Sequence, residues 1–156
     1  ESVAVFVART GADQFLVDRY GADSDIVRRA REDDADAERF NGFLAGLRAE
    51  LEVVYAGDLS REEKIEARGP IFEAARQRVT TDLLPLVHHP EEFEHYQELA
   101  FNNAFLLVNA RYNTNLDIFR AVYESVGQDW KAMMEVLRQA SVSADPFGFL
   151  RQRLAP

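Results

Sequence analysis

An all-α fold, an irregular bundle of six to eight helices, is what three features of the 156-residue sequence predict. Apolar residues return at steps of three and four, as they do along one face of a helix. Runs of alternating β-branched and aromatic residues, the mark of strands, are nearly absent. Helix-starting residues (Ser24, Ser60, Asp129, Asp145) and helix-stopping glycines (Gly21, Gly57, Gly127) punctuate the chain. The length and an apolar content of 47% fit a single helical domain over residues 1–156 with a substantial core.

The first helix is expected over Glu1 to about Tyr20, with Val3, Phe6 and Val7 on its apolar side and Gly21 as its stop. Asp23-Ser24-Asp25 supplies an N-cap, and Arg28 to Arg39 follows as a densely charged stretch. The clearest stripe is Phe40, Phe43, Leu44, Leu47, Leu51 and Val54, which predicts a helix ending near Gly57 with those residues buried. Ser60-Arg61-Glu62-Glu63 has the form of a capping box, because Ser stands at the N-cap and Glu at the third helical position. The helix it opens runs through Ile65 and Phe72 towards Val79, with a kink or break expected at Pro70. Leu83 to Pro90 reads as a connection, and Pro90-Glu91-Glu92 as a helix start. Three further helices are expected over Asn102–Tyr112, Leu116–Val126 and Trp130–Ala140. Asp145-Pro146 caps a short last one that ends at Leu154.

Several function classes are excluded or disfavoured. With no cysteine there is no disulfide, thiolate zinc site or cysteine nucleophile, and the chain is compatible with either a periplasmic or a cytoplasmic home. Eighteen Lys and Arg against 27 Asp and Glu leave a net charge of −9, which argues against a general nucleic-acid binder. The densest apolar run, Ala104 to Val108, is far short of the ~20 residues that a membrane span needs. No Gly-x-Ser-x-Gly elbow or Gly-rich phosphate loop is present.

His88, His89 and His95 do not form the His-x-x-x-His pair of a zincin helix. Glu92-x-x-His95 matches one element of a di-iron bundle, but no histidine remains for the second, so a surface helix start is the preferred reading. Asp33-Asp34-Ala35-Asp36 lacks the glycine and the closing Glu of a calcium loop and is read as a solvated acidic face. The sequence feature that stands out is Phe101-Asn102-Asn103-Ala104. Adjacent asparagines suit a helix interior poorly, and a buried amide without partners costs about 1–3 kcal/mol. Either they cap the helix and fix nearby loops, or one aims at a ligand. The structural role is preferred on these grounds alone.

Four segments in order resemble the C-terminal part of a bacterial family of predicted zinc aminopeptidases, themselves similar to gluzincin metallopeptidases. Glu1-Ser2-Val3-Ala4-Val5-Phe6-Val7 resembles the family's Asn-Glu-Ser-Phe-Ala-x-Phe-Val. Tyr55-Ala56-Gly57-Asp58-Leu59-Ser60 with Glu63-Lys64 resembles its helix–turn–helix, and Asn102-Asn103-Ala104 with Tyr112 and Phe119 resembles its Asn-Asn-Ala stretch. Gly127-Gln128-Asp129-Trp130 resembles its Gly-Gly-Asp-Leu/Trp. The departures are the missing upstream His-Glu-x-x-His, the missing Asn before Glu1, Asn113 in place of a common His, and Met133-Met134 in place of Phe-Tyr.

The resemblance implies a peptide hydrolase that uses zinc-bound water. It implies that Glu1 is the third zinc ligand, and that Asn102, Asn103 and Tyr112 shape or brace the substrate side. It also implies that residues 1–156 are the C-terminal portion of a longer protein, with the upstream segment as a partner. Val3, Phe6 and Val7 are then expected to be partly exposed in this chain. The alternative is a non-catalytic helical scaffold or protein-interaction module.

Overall fold

A computed structural model describes residues 1–155. They form seven α-helices and no strand: α1 Ser2–Tyr20, α2 Asp25–Ala56, α3 Arg61–Arg78, α4 Asn103–Asn113, α5 Leu116–Ser125, α6 Trp130–Ser141 and α7 Pro146–Leu154. The fold class is the one the sequence predicts. The punctuation works as its chemistry suggests. The side chains of Ser24, Asp129 and Asp145 each accept a first-turn backbone N–H, and Ser60 and Glu63 exchange both bonds of a capping box. Gly21 and Gly127 follow α1 and α5 with φ of 85° and 70°, a conformation in which a Cβ would be strained.

The chain clusters into two compact units, one made of Glu1–Ala8 with the chain from Asn113 onward, the other of Arg9–Tyr112. In the first, α5 buries Ile118, Phe119, Val122 and Tyr123, and α6 buries Met133, Val136 and Ala140. Phe6 completes this core, with its ring centroid 6.0 Å from both Phe119 and Tyr123. Phe6 is thus only 5% exposed, against the expectation of partial exposure, because rings from α5 cover it. Val3 and Val7 flank the same core and stay half-buried.

In the second unit α2 and α3 form a helical hairpin through the short Gly57–Ser60 connection. Phe40, Leu44, Leu47 and Leu51 of α2 share a core with Ala75 of α3 and with Val79, Leu83, Val87, Phe101 and Leu106 beyond it. Phe43 and Val54, at the margins of the predicted stripe, are half-buried. Pro70 does not break α3. Its ring removes the N–H that would bond the Glu66 carbonyl, but both residues are exposed, so water can take that carbonyl. The expected connection after α3 is wound rather than extended. A π-helical turn over Val79–Leu83 leads into 3₁₀ turns over Leu84–Leu86, Pro90–Glu92 and Glu94–Gln97.

Candidate functional site

The two asparagines part company at the start of α4. Asn102 lies just outside the helix, where its Oδ1 accepts the Phe105 N–H at 3.0 Å and its Nδ2 donates to the Ala100 carbonyl at 3.3 Å. That is a cap, which satisfies a donor the helix leaves open. Asn103 is the first helical residue and half-buried, and its Oδ1 accepts the Tyr55 hydroxyl at 3.0 Å. Asn103 and Tyr55 line a cavity of about 260 Å³ with Arg48, Leu51, Glu52, Leu106 and Leu107. Arg48 and Glu52 pair at 3.3 Å.

Tyr112 follows Asn103 by nine residues on α4. At about 100° per residue this is two and a half turns, so the two lie on opposite sides of the helix. Tyr112 is 43% exposed and does not line the cavity. The cavity can hold an apolar group of modest size between leucines and orient it with an amide, a phenol hydroxyl and one ion pair. Its polar lining is Arg48, Glu52, Tyr55 and Asn103, and the Glu52 carboxylate is engaged with Arg48 and the Tyr55 hydroxyl with Asn103.

Glu1 is exposed and stands at the start of α1, its carbonyl accepting the N–H groups of Ala4 and Val5. A hydrolytic zinc needs three protein ligands and an open position for water. Among the described residues no group of three or more His, Cys, Asp or Glu could hold a metal ion. These residues therefore do not by themselves fit a zinc ion.

A second constellation was not visible as such in the sequence. Asp36, read as part of a solvated acidic face, is only 1% exposed. The correction has a plain cause, since Asp36 lies one turn before Phe40 and extends the same buried stripe. Both its oxygens accept the His88 N–H at 2.8 Å, one accepts the His89 N–H at 2.9 Å, and Arg39 donates to it at 2.8 Å. His88 Nδ1 lies 2.8 Å from the same carboxylate. Burial pushes the Asp36 carboxyl up, but the bonds from the His88 amide, the His88 ring and the His89 amide outweigh it and hold the group below the ordinary carboxylate range.

Charges from three segments surround this clamp. Arg29 reaches His89 Nδ1 at 2.8 Å, Asp33 at 2.8 Å, and Glu92. Because a guanidinium can only donate, His89 Nδ1 is an acceptor and its Nε2 carries the proton offered to Glu32 at 3.2 Å. The arrangement ties the His88–His89 segment to α2. Glu92, on the short turn beginning at Pro90, serves the same tie through Arg29.

Residues 1–145 match the model of a family described as Putative aminopeptidase. No curated protein and no solved structure matches the chain.

Proposed function

This chain belongs to that aminopeptidase family, and on this premise we propose that it serves the hydrolytic removal of N-terminal residues from peptides. Its own part is to hold the peptide. The observation that carries the reading is the family match over residues 1–145. The Tyr55–Asn103 cavity supports it, since it is apolar enough for a side chain and has polar groups to orient a peptide bond. Zinc, as the resemblance implies, would take Glu1 as one ligand and its remaining ligands from an upstream segment outside residues 1–156. Glu1 apart, the part this chain would play is to bind and brace the peptide.

The test is made on the full gene product that contains this chain. It is assayed against aminoacyl amides and short peptides, with metal content measured in the same preparation. Hydrolysis with stoichiometric zinc is expected, and Glu1→Ala should lose the zinc. Tyr55→Phe and Asn103→Ala should raise KM several-fold with kcat little changed, since uniform binding is what they would remove. A preparation with neither zinc nor hydrolysis supports the scaffold reading instead.

A further inference from the structure

α3 carries a charge arrangement that the fold does not need. Its buried stripe runs backwards from Val79 and Ala75 through Phe72 and Ile71, at steps of three and four. Continued towards the N-terminus, the same stripe falls on Arg68, Lys64 and Arg61. On a helical wheel these cations sit at about 340°, 300° and 0°, while Glu62, Glu63 and Glu66 sit at about 100°, 200° and 140°. The first turns of α3 thus present cations on the side that later faces the core, and acids on the opposite side.

These cations line an open depression of about 440 Å³ together with Tyr55, Leu59 and Ile65. Lys64 and Arg68 are half-buried there. Among the described residues none of the three side chains has a carboxylate within ion-pair distance. Eight other arginines of this unit are paired, Arg9, Arg28, Arg29, Arg31, Arg39, Arg48, Arg76 and Arg78 each meeting an Asp or Glu, while Arg19 stands apart from this depression without such a pair among the described residues. In a chain with 27 acids to 18 bases, three partnerless cations in one concavity are left for an anion from outside.

The size of the face narrows the anion. Arg61 to Arg68 covers seven residues of helix, about 10 Å. That exceeds a single carboxylate and matches about three residues of extended chain at roughly 3.4 Å each. Leu59 and Ile65, both exposed, give the peptide backbone an apolar border. Tyr55 lines this depression and also the Asn103 cavity, so the two are neighbours.

We propose that the Arg61–Lys64–Arg68 face of α3 is a subsite for the acidic side chains of a peptide whose adjoining residues occupy the Tyr55–Asn103 cavity. The inference rests on the peptide-binding reading of that cavity and adds to it a preference for acidic substrates. Arg61 and Arg68 can grip carboxylates with paired donors, and Lys64 between them adds a point charge.

The probe is a fluorescent, C-terminally amidated peptide with apolar residues at its N-terminal end followed by three glutamates. Its counterpart has three glutamines, in amidated and free-acid forms. Anisotropy on the 156-residue chain should show the glutamate peptide bound at least tenfold tighter than either glutamine form. Raising salt to 0.5 M should remove most of the difference. Arg61→Ala/Lys64→Ala/Arg68→Ala should abolish the preference, Lys64→Gln should reduce it several-fold, and Arg151→Ala should leave it intact. Circular dichroism confirms that each variant is folded, and Lys64→Gln decides the matter should the triple variant not fold. Equal binding of glutamate and glutamine peptides, or a preference that survives Lys64→Gln undiminished, overturns the proposal. Hydrolysis by the full gene product is read separately. Glutamate-selective binding without turnover removes the aminopeptidase reading and keeps the subsite, whereas turnover indifferent to acidic residues does the reverse.

Discussion

Replacing Asp36 by Ala should be among the most damaging single changes available in the Arg9–Tyr112 unit. The side chain is nearly sealed, and it takes N–H groups from His88 and His89 and a donor from Arg39. Ala leaves those amides without an acceptor, at about 1–3 kcal/mol for each buried donor that water cannot reach. It also strips Arg39 of its partner, but that guanidinium is partly exposed and water takes over much of the lost bond. These costs overlap, so the expected loss is about 3–5 kcal/mol in all. For a chain of this length 1 kcal/mol moves Tm by roughly 3 °C, hence a fall of roughly 9–15 °C. Asp36→Asn keeps one acceptor oxygen and should lose about half as much. Urea unfolding followed by far-UV circular dichroism measures both. The dependence on pH adds a check. The Asp36 carboxyl is held below its ordinary value of 3.8, so its stabilisation is complete above that value and is lost as pH falls through the lower folded one. The gap between wild type and Asp36→Asn should therefore be constant from pH 5 to 7 and close in more acid solution. A loss under about 1 kcal/mol for Asp36→Ala at pH 7 would refute the clamp.

Leu47, almost fully buried on the α2 stripe, should cost about 2–5 kcal/mol on change to Ala, and an unaltered unfolding curve would place the stripe against water. Ser60→Ala removes the capping-box bond from the Glu63 N–H to the Ser60 hydroxyl and keeps the one from the residue-60 backbone N–H to the Glu63 carboxylate, so about 1 kcal/mol should be lost by the same assay. Bonds from Arg138 and Gln139, reinforced by the charge of Arg138, pull the Glu135 carboxyl down to about 2. An NMR titration of that carboxyl should show its midpoint there, and Arg138→Ala should return it towards the ordinary value of 4.5.

The elements were legible in the sequence because they rest on local chemistry. A serine with a glutamate three residues on makes a capping box from the backbone of one turn, and Ser60 does so here. An apolar stripe needs only the helical period, and Phe40, Leu44, Leu47 and Leu51 are buried on it. Where sequence reasoning went astray, residue type was allowed to outvote position. Asp36 occupies the next place on that stripe, four residues before Phe40, yet its charge marked it as solvent-facing. Of the kink or break expected at Pro70, no break occurs, because a proline on an exposed face costs the helix one bond that water replaces.

Pairings over long separations were out of reach for a different reason. Asn102 and Asn103 are adjacent and chemically identical, yet one caps its own helix and the other meets Tyr55 48 residues away. Nothing local distinguishes them. The distinction follows from which side of α4 faces the end of α2, and that is decided by the core residues Leu51 and Leu106 packed beneath the cavity. The same logic extends to the cations of α3. A helix stripe is a geometric address, and the core fills only the part of it that finds a partner surface. Beyond that edge, between Arg68 and Arg61, the address still points inward, but towards an open depression rather than a core. An unpaired charge at such a place is the converse of Asp36, which is an inward-pointing charge supplied with its partners by the same chain.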